Sequence, residues 1–120
     1  MPRLRLGRSS RLKRQGDFQN ARARGQRVVN GCLIANVLPR SQGEESRIGV
    51  ITSRAIGPAV GRARARRLLR ESYRLHQFEL NQPVDLILVA RRSIAGKSFA
   101  DVERDLLRAL KQLRILKDPQ

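Results

Sequence analysis

The chain has 120 residues and a formal net charge of +16, from 26 Lys and Arg against 10 Asp and Glu. That length suits one domain, which would bury roughly 60–70% of its extended surface. Apolar residues make up 40% of the chain and fall into periodic segments, which separates it from a disordered polycation. The single cysteine, Cys32, excludes an internal disulfide framework and suits a reducing compartment. The longest apolar runs fall far short of the ~20 residues that span a bilayer. No apolar signal region follows the basic start, so a cytoplasmic location without membrane contact is expected.

The charge is concentrated. Residues 1–27 carry nine basic side chains against Asp17, and residues 47–74 carry eight against Glu71. The rest of the chain is nearly balanced, with nine basic and eight acidic residues. Two segments of one sign point to a polyanionic partner, nucleic acid before a membrane surface, although composition alone does not choose between RNA and DNA.

In chain order, residues 1–10, "MPRLRLGRSS", read as a flexible basic arm. They precede a single domain over residues 11–117, with residues 118–120 as a tail. Residues 14–24 suggest a short helix with Phe18 and Ala21 on one side and Gly25 as its stop. Residues 28–38, "VVNGCLIANVL", read as one alternating strand. Val29, Leu33, Ala35 and Val37 would point one way, and Asn30, Cys32, Ile34 and Asn36 the other. After the turn-rich "PRSQGEES", "RIGVITS" (47–53) is a second strand, and the apolar "VDLILVA" (84–90) reads as a central strand buried on both faces. Ser98 and Asp101 have capping-box spacing ahead of a helix in which Val102, Leu106, Ala109, Leu110 and Leu113 recur at three- and four-residue intervals. No internal repeat is present. The order of helix, strands, helix, strand, helix predicts an α+β sandwich.

Between the second and third strands lies "AVGRARARRLLRESYR", residues 59–74, with six arginines and one acid. On a helical wheel Arg62, Arg66, Arg70, Arg74 and Arg67 fall within an arc of about 140°. Ala65, Leu68, Leu69, Ser72 and Leu75 fall on the opposite side and can pack on a sheet. Arg64 lies off the ridge, near Glu71. A solvated surface helix normally mixes signs, whereas Arg62–Arg66–Arg70–Arg74 is an i,i+4 ladder of like charge that costs a few tenths of a kcal/mol per pair. Phosphates would neutralise it, and arginine's fork suits their oxygens better than lysine does. Gly57 and Gly61 sit near the helix start, where free backbone N–H groups also favour anions.

Catalytic residue types are scarce. His76 and Cys32 are the chain's one histidine and one cysteine, too few for a metal site of those ligands. With Cys32 read as mid-strand and buried and His76 as a surface imidazole at a helix end, no nucleophile–base pair is expected. Carboxylates are sparse in the basic regions, which argues against a magnesium site made by protein alone.

At residues 57–71 the sequence resembles the protein subunit of bacterial ribonuclease P, whose motif is close to G-x-A-V-x-R-N-x-x-K-R-x-x-R-E. Here it reads "GPAVGRARARRLLRE", with Gly57, Ala59, Val60, Arg62, Arg64, Arg66, Arg67, Arg70 and Glu71 standing in its frame. Arg66 replaces the usual lysine, and Ala63 stands where the family has asparagine. The resemblance continues through "RLKRQGDFQ", "RIGVITSRAIG" and "LILVARRSIAGKSFADVERDLLRAL". It implies a small two-layer sandwich of ribosomal-protein type, with three helices, a mostly antiparallel four-stranded sheet and a left-handed βαβ crossover.

The resemblance also implies a function: binding the catalytic RNA and the 5′ leader of precursor tRNA, with magnesium-dependent endonucleolytic removal of the leader carried out by the RNA. The protein would be a monomer in a 1:1 holoenzyme, with no catalytic residue of its own and any Mg2+ held chiefly by RNA. Arg62, Arg64, Arg66, Arg67 and Arg70 would meet the RNA subunit. Phe18, Arg22, Asn36 and Arg54 would line the leader cleft, although Phe18 reads equally as an ordinary core residue. Relatives often have aromatics where this chain has Arg22 and Asn36, so its grip on the leader would rest more on charge and hydrogen bonding than on stacking. The competing reading is a structural RNA-binding protein of ribosomal type with no processing role. A sequence-specific DNA binder is disfavoured by the lack of helix-turn-helix spacing and of a dimer seam.

Overall fold

The computed structural model describes residues 10–118. The expected basic arm and C-terminal tail, apart from Ser10 and Asp118, lie outside the described residues. The elements run α1 (Gln15–Arg24), β1 (Gln26–Asn30), β2 (Leu33–Pro39), β3 (Arg47–Ile51), α2 (Ala59–His76), β4 (Val84–Ala90) and α3 (Phe99–Gln112). The sheet order is β1-β2-β4-β3. The β1–β2 and β2–β4 pairs are antiparallel, whereas β3 and β4 pair in parallel and are joined through α2 as a βαβ unit. Three helices on a four-stranded mixed sheet are thus an α+β fold, as the element order and the resemblance led one to expect.

One predicted element is corrected. Residues 28–38 are not a single strand but the two arms of a hairpin, with Asn30 opposite Leu33 and the turn at Gly31–Cys32. Gly31 adopts φ +52°, and a Cβ there would lie 2.2 Å from the Asp105 carboxylate. Asp105 in turn accepts the Cys32 backbone N–H at 3.0 Å, so α3 fastens the turn from below. The fold reverses the assigned facing of β1. Val29 pairs with Ile34 and is 42% exposed, away from Leu33, Ala35 and Val37, which are core residues. Cys32 is therefore a turn residue and not mid-strand, although it is fully buried.

The two sheet faces are unequal. Leu33, Ala35, Val37, Ile48, Val84, Leu86 and Leu88 meet α2 and α3 in the main core, which also holds Leu69, Tyr73, Leu106 and Leu110. On the other face a small cluster of Leu12, Ala21 and Ile87, with Phe18 beside it, lies under α1. Helix α1 lies over β2 and β4, and Ile34, Leu38, Ile51 and Val89 on that face are only half-buried. β4 is interior to the sheet and has one face in each cluster, which explains its unbroken apolar sequence. The Ser98–Asp101 capping box at the start of α3 forms as its spacing predicted.

Candidate nucleic-acid interface

Helix α2 is bound to the core by Ala65, Leu69, Ser72 and Tyr73, all buried, while Leu68 and Leu75 are half-buried. Tyr73 was not on the expected packing side, since the ideal wheel puts it about 20° from Arg62, within the ridge. Its burial rotates the packed face toward Arg62 and shifts the free arc toward Arg66, Arg67 and Arg70. The buried phenol is pushed up to about 12, so it stays protonated.

The structure divides the five arginines assigned to RNA into two groups. Arg62 donates to the Gly57 carbonyl at 2.8 Å, Arg64 to the Lys97 carbonyl at 2.6 Å, and Arg66 to the Thr52 hydroxyl at 2.9 Å. These neutral acceptors orient the guanidinium groups without cancelling their charge. Arg64 ties α2 to the loop ahead of α3, a structural contact absent from the wheel. Arg67 and Arg70 are exposed and form no hydrogen bond or ion pair among the described residues. The ladder is also shorter than expected, because Arg74 is engaged by Glu71 in an i,i+3 ion pair.

Arg66, Arg67, Arg70 and Arg74 line a depression of about 410 Å3, joined by Glu71, by Ala63 and by Arg11 from the segment ahead of α1. Arg11 bridges to Ile48 at the edge of β3, which brings its charge beside the helix. Partial desolvation by its neighbours lowers the pKa of the otherwise exposed Arg70, and repulsion from Arg11 and Arg66 lowers it further. Like charges are therefore held close together with no compensating acid for most of them. Sequence reasoning missed Arg11 here, because only the chain path shows that the start of the domain returns to α2. Ala63 is exposed on the same wall and offers no polar atom.

The four residues assigned to the leader cleft are spread over three elements, and none bonds to another among the described residues. Phe18 and Arg22 stand one turn apart on α1, Phe18 half-buried and Arg22 exposed. The Phe18 ring lies so close to Gly49 that a Cβ on the glycine would fall 2.5 Å from Cε1. Asn36, on β2, is 3% exposed and offers little surface to a ligand. Arg54 is exposed in a 3-10 turn after β3. Beside them Arg47 makes a two-point contact with Asp85 at 2.8 and 2.7 Å, and reaches Asp17 of α1 at 3.4 Å. This network seats α1 on the sheet.

The two residues considered for chemistry serve structure instead. Burial, and secondly the Asp105 carboxylate, push the Cys32 thiol up to about 12, which makes it a poor nucleophile. His76 is not a free surface imidazole, since Nδ1 meets Glu79 at 2.5 Å and Nε2 meets Glu103 at 2.8 Å. Burial opposes its charge, but the hydrogen bonds to Glu103 and Glu79 prevail and raise its pKa. Among the described residues no three His, Cys, Asp or Glu side chains gather as a metal site, and no helix is long and apolar enough to cross a membrane.

Comparison with known proteins identifies the family. The family model "Ribonuclease P" matches residues 6–114. The chain is 38% identical over 116 residues to the ribonuclease P protein component of Desulfovibrio desulfuricans, covering 94% of this chain and 89% of that one. It is 33% identical over 107 residues to the component from Listeria innocua, covering 89% and 90%. Among solved structures, the RNase P protein of Staphylococcus aureus superposes with a TM-score of 0.81 at 24% identity, covering 90% of this chain and 98% of that one. The protein from Thermotoga maritima gives 0.73 at 25% identity, covering 85% and 96%. A family match over nearly the whole length, with relatives more than 30% identical over most of both chains, places this chain in the ribonuclease P protein family.

Proposed function

We propose that the chain is the protein subunit of a ribonuclease P holoenzyme in the cytoplasm, a monomer bound to one catalytic RNA. In this reading Arg66, Arg67 and Arg70, supported by Arg62 and Arg64, meet phosphates of the RNA subunit. The partly open sheet face beside α1, with Phe18, Arg22 and Arg54, receives the 5′ leader of precursor tRNA, and Asn36 acts beneath it. The protein assists endonucleolytic removal of the leader by screening phosphate repulsion and positioning the substrate. Phosphodiester hydrolysis belongs to the RNA. In this reading Mg2+ is held chiefly by RNA.

The observation that carries the reading is the depression on α2, where Arg11, Arg66, Arg67 and Arg70 converge with one acid between them. Such a site is unfavourable alone and favourable against a phosphate backbone. The test is to add purified protein to bacterial ribonuclease P RNA and precursor tRNA at low magnesium. The protein should lower the magnesium needed for cleavage and be inert without RNA. RNA-free cleavage, abolished by one point mutation in the protein, would overturn it.

A further inference from the structure

A second basic surface lies on α3 and the strand-like segment after it. Leu80 and Leu116 form an antiparallel bridge, Asn81 N–H donates to the Ile115 carbonyl, and Lys117 N–H donates to the Glu79 carbonyl. This pairing encloses a groove of about 780 Å3 that shares no residue with the depression on α2. Half-buried Leu107 and Leu116 contribute its apolar surface, and Phe78, 52% exposed, stands at its side. Arg108, Lys111, Arg114 and Lys117 also line it, against Glu79 and Asp118. Glu79 is hydrogen-bonded to His76, and the four cations outnumber the two acids.

Arg114 is the described non-glycine residue with a positive φ, at +61°. It closes α3 in a Schellman arrangement, with its own N–H bonded to the Lys111 carbonyl and the Ile115 N–H bonded to the Leu110 carbonyl. Glycine normally fills that position, because an L side chain there is strained. An arginine in its place is explained if its charge is needed in the groove.

We propose that this groove is a second RNA-binding site, which takes an unpaired nucleotide with its base against Phe78 and its phosphates among the four cations. The proposal rests on the reading of the chain as an RNA-binding subunit. An exposed aromatic ring beside cations suits a single strand, whose bases have free faces, better than a duplex, whose bases are already stacked. The same cations disfavour a second copy of this +16 chain as the occupant.

The experiment measures affinity for ribonuclease P RNA at fixed salt, together with thermal melting and sedimentation, for the full chain and its variants. Phe78→Ala should weaken binding roughly five- to hundredfold, with Phe78→Trp restoring it. Arg114→Gly should weaken binding while the melting temperature holds or rises, a combination that loss of structure alone does not produce. Parent-like affinity in Phe78→Ala and Arg114→Gly, beside a loss in Arg66→Ala/Arg70→Ala, would overturn the groove site and leave the main interface standing. Parent-like affinity in all three would overturn both. If Phe78→Ala changes the sedimenting mass and leaves RNA affinity unchanged, the groove binds another copy of the chain and the proposal falls.

Discussion

Ser72 is fully buried on the packing face of α2, and its Oγ has no hydrogen-bond partner among the described residues. A buried, unsatisfied hydroxyl costs about 1–3 kcal/mol, and alanine is the better helix former. Ser72→Ala should therefore hold or raise stability by up to about 1 kcal/mol, read from chemical denaturation; a loss above that size would mean the hydroxyl has a partner. His76 makes a second residue-scale prediction. Its folded pKa is raised, so its contribution is fully present below the unfolded value near 6.5 and is lost as pH rises through the folded pKa. The stability difference between the parent and His76→Gln should shrink as pH is raised through that window, measured by urea unfolding at several pH values. A difference that grew with pH would contradict the two-carboxylate clamp. The sequence made Ser72 legible as a packing position and His76 as a helix-end residue, but not their partners. Glu103 lies 27 residues beyond His76, and only tertiary structure brings them together.

At the scale of elements, legibility followed how local the controlling physics is. The α3 capping box and the apolar run of β4 depend on adjacent residues and were readable. The β1–β2 turn at Gly31–Cys32 was not readable, because the apparent alternation through it concealed the reversal that a two-residue hairpin loop produces. The seating of α1 was not readable, because it depends on absent side chains. Gly25 comes so close to β2 that a Cβ would lie 2.3 Å from the Val37 carbonyl oxygen, and Gly49 lies under the Phe18 ring. Gly49→Ala should accordingly cost about 1–3 kcal/mol of stability by overpacking. In a Phe18→Ala background the same change should cost less, since the ring that it meets is gone. A double-mutant cycle by denaturant unfolding measures the coupling; strict additivity would mean that Phe18 moves aside freely.

For the molecule as a whole, the two basic segments visible in the sequence proved to be neighbours, with Arg11 from the first beside Arg66, Arg67 and Arg70 from the second. Charge density was legible, and its convergence was not, since that requires the path of the chain around β3. The division of labour among the arginines was likewise hidden until acceptors such as Thr52 and the Lys97 carbonyl were in place. It yields a sharper prediction than charge alone. Arg67 and Arg70 have no bonded role within the described structure, so Arg67→Ala/Arg70→Ala should leave the melting temperature nearly unchanged. If each neutralises about one phosphate, the double variant should flatten log affinity against log salt by roughly 1.4–1.8 units for the RNA subunit. Arg64→Ala should behave differently: its loss frees the Lys97 carbonyl, so melting should fall while the slope changes less. Leu69→Ala, fully buried, should lower stability by roughly 2–5 kcal/mol and leave the slope of the folded fraction alone. A salt titration of the four proteins separates these cases. An unchanged slope in Arg67→Ala/Arg70→Ala would mean that this face of α2 meets solvent, and the cost of keeping its arginines together would then need another cause.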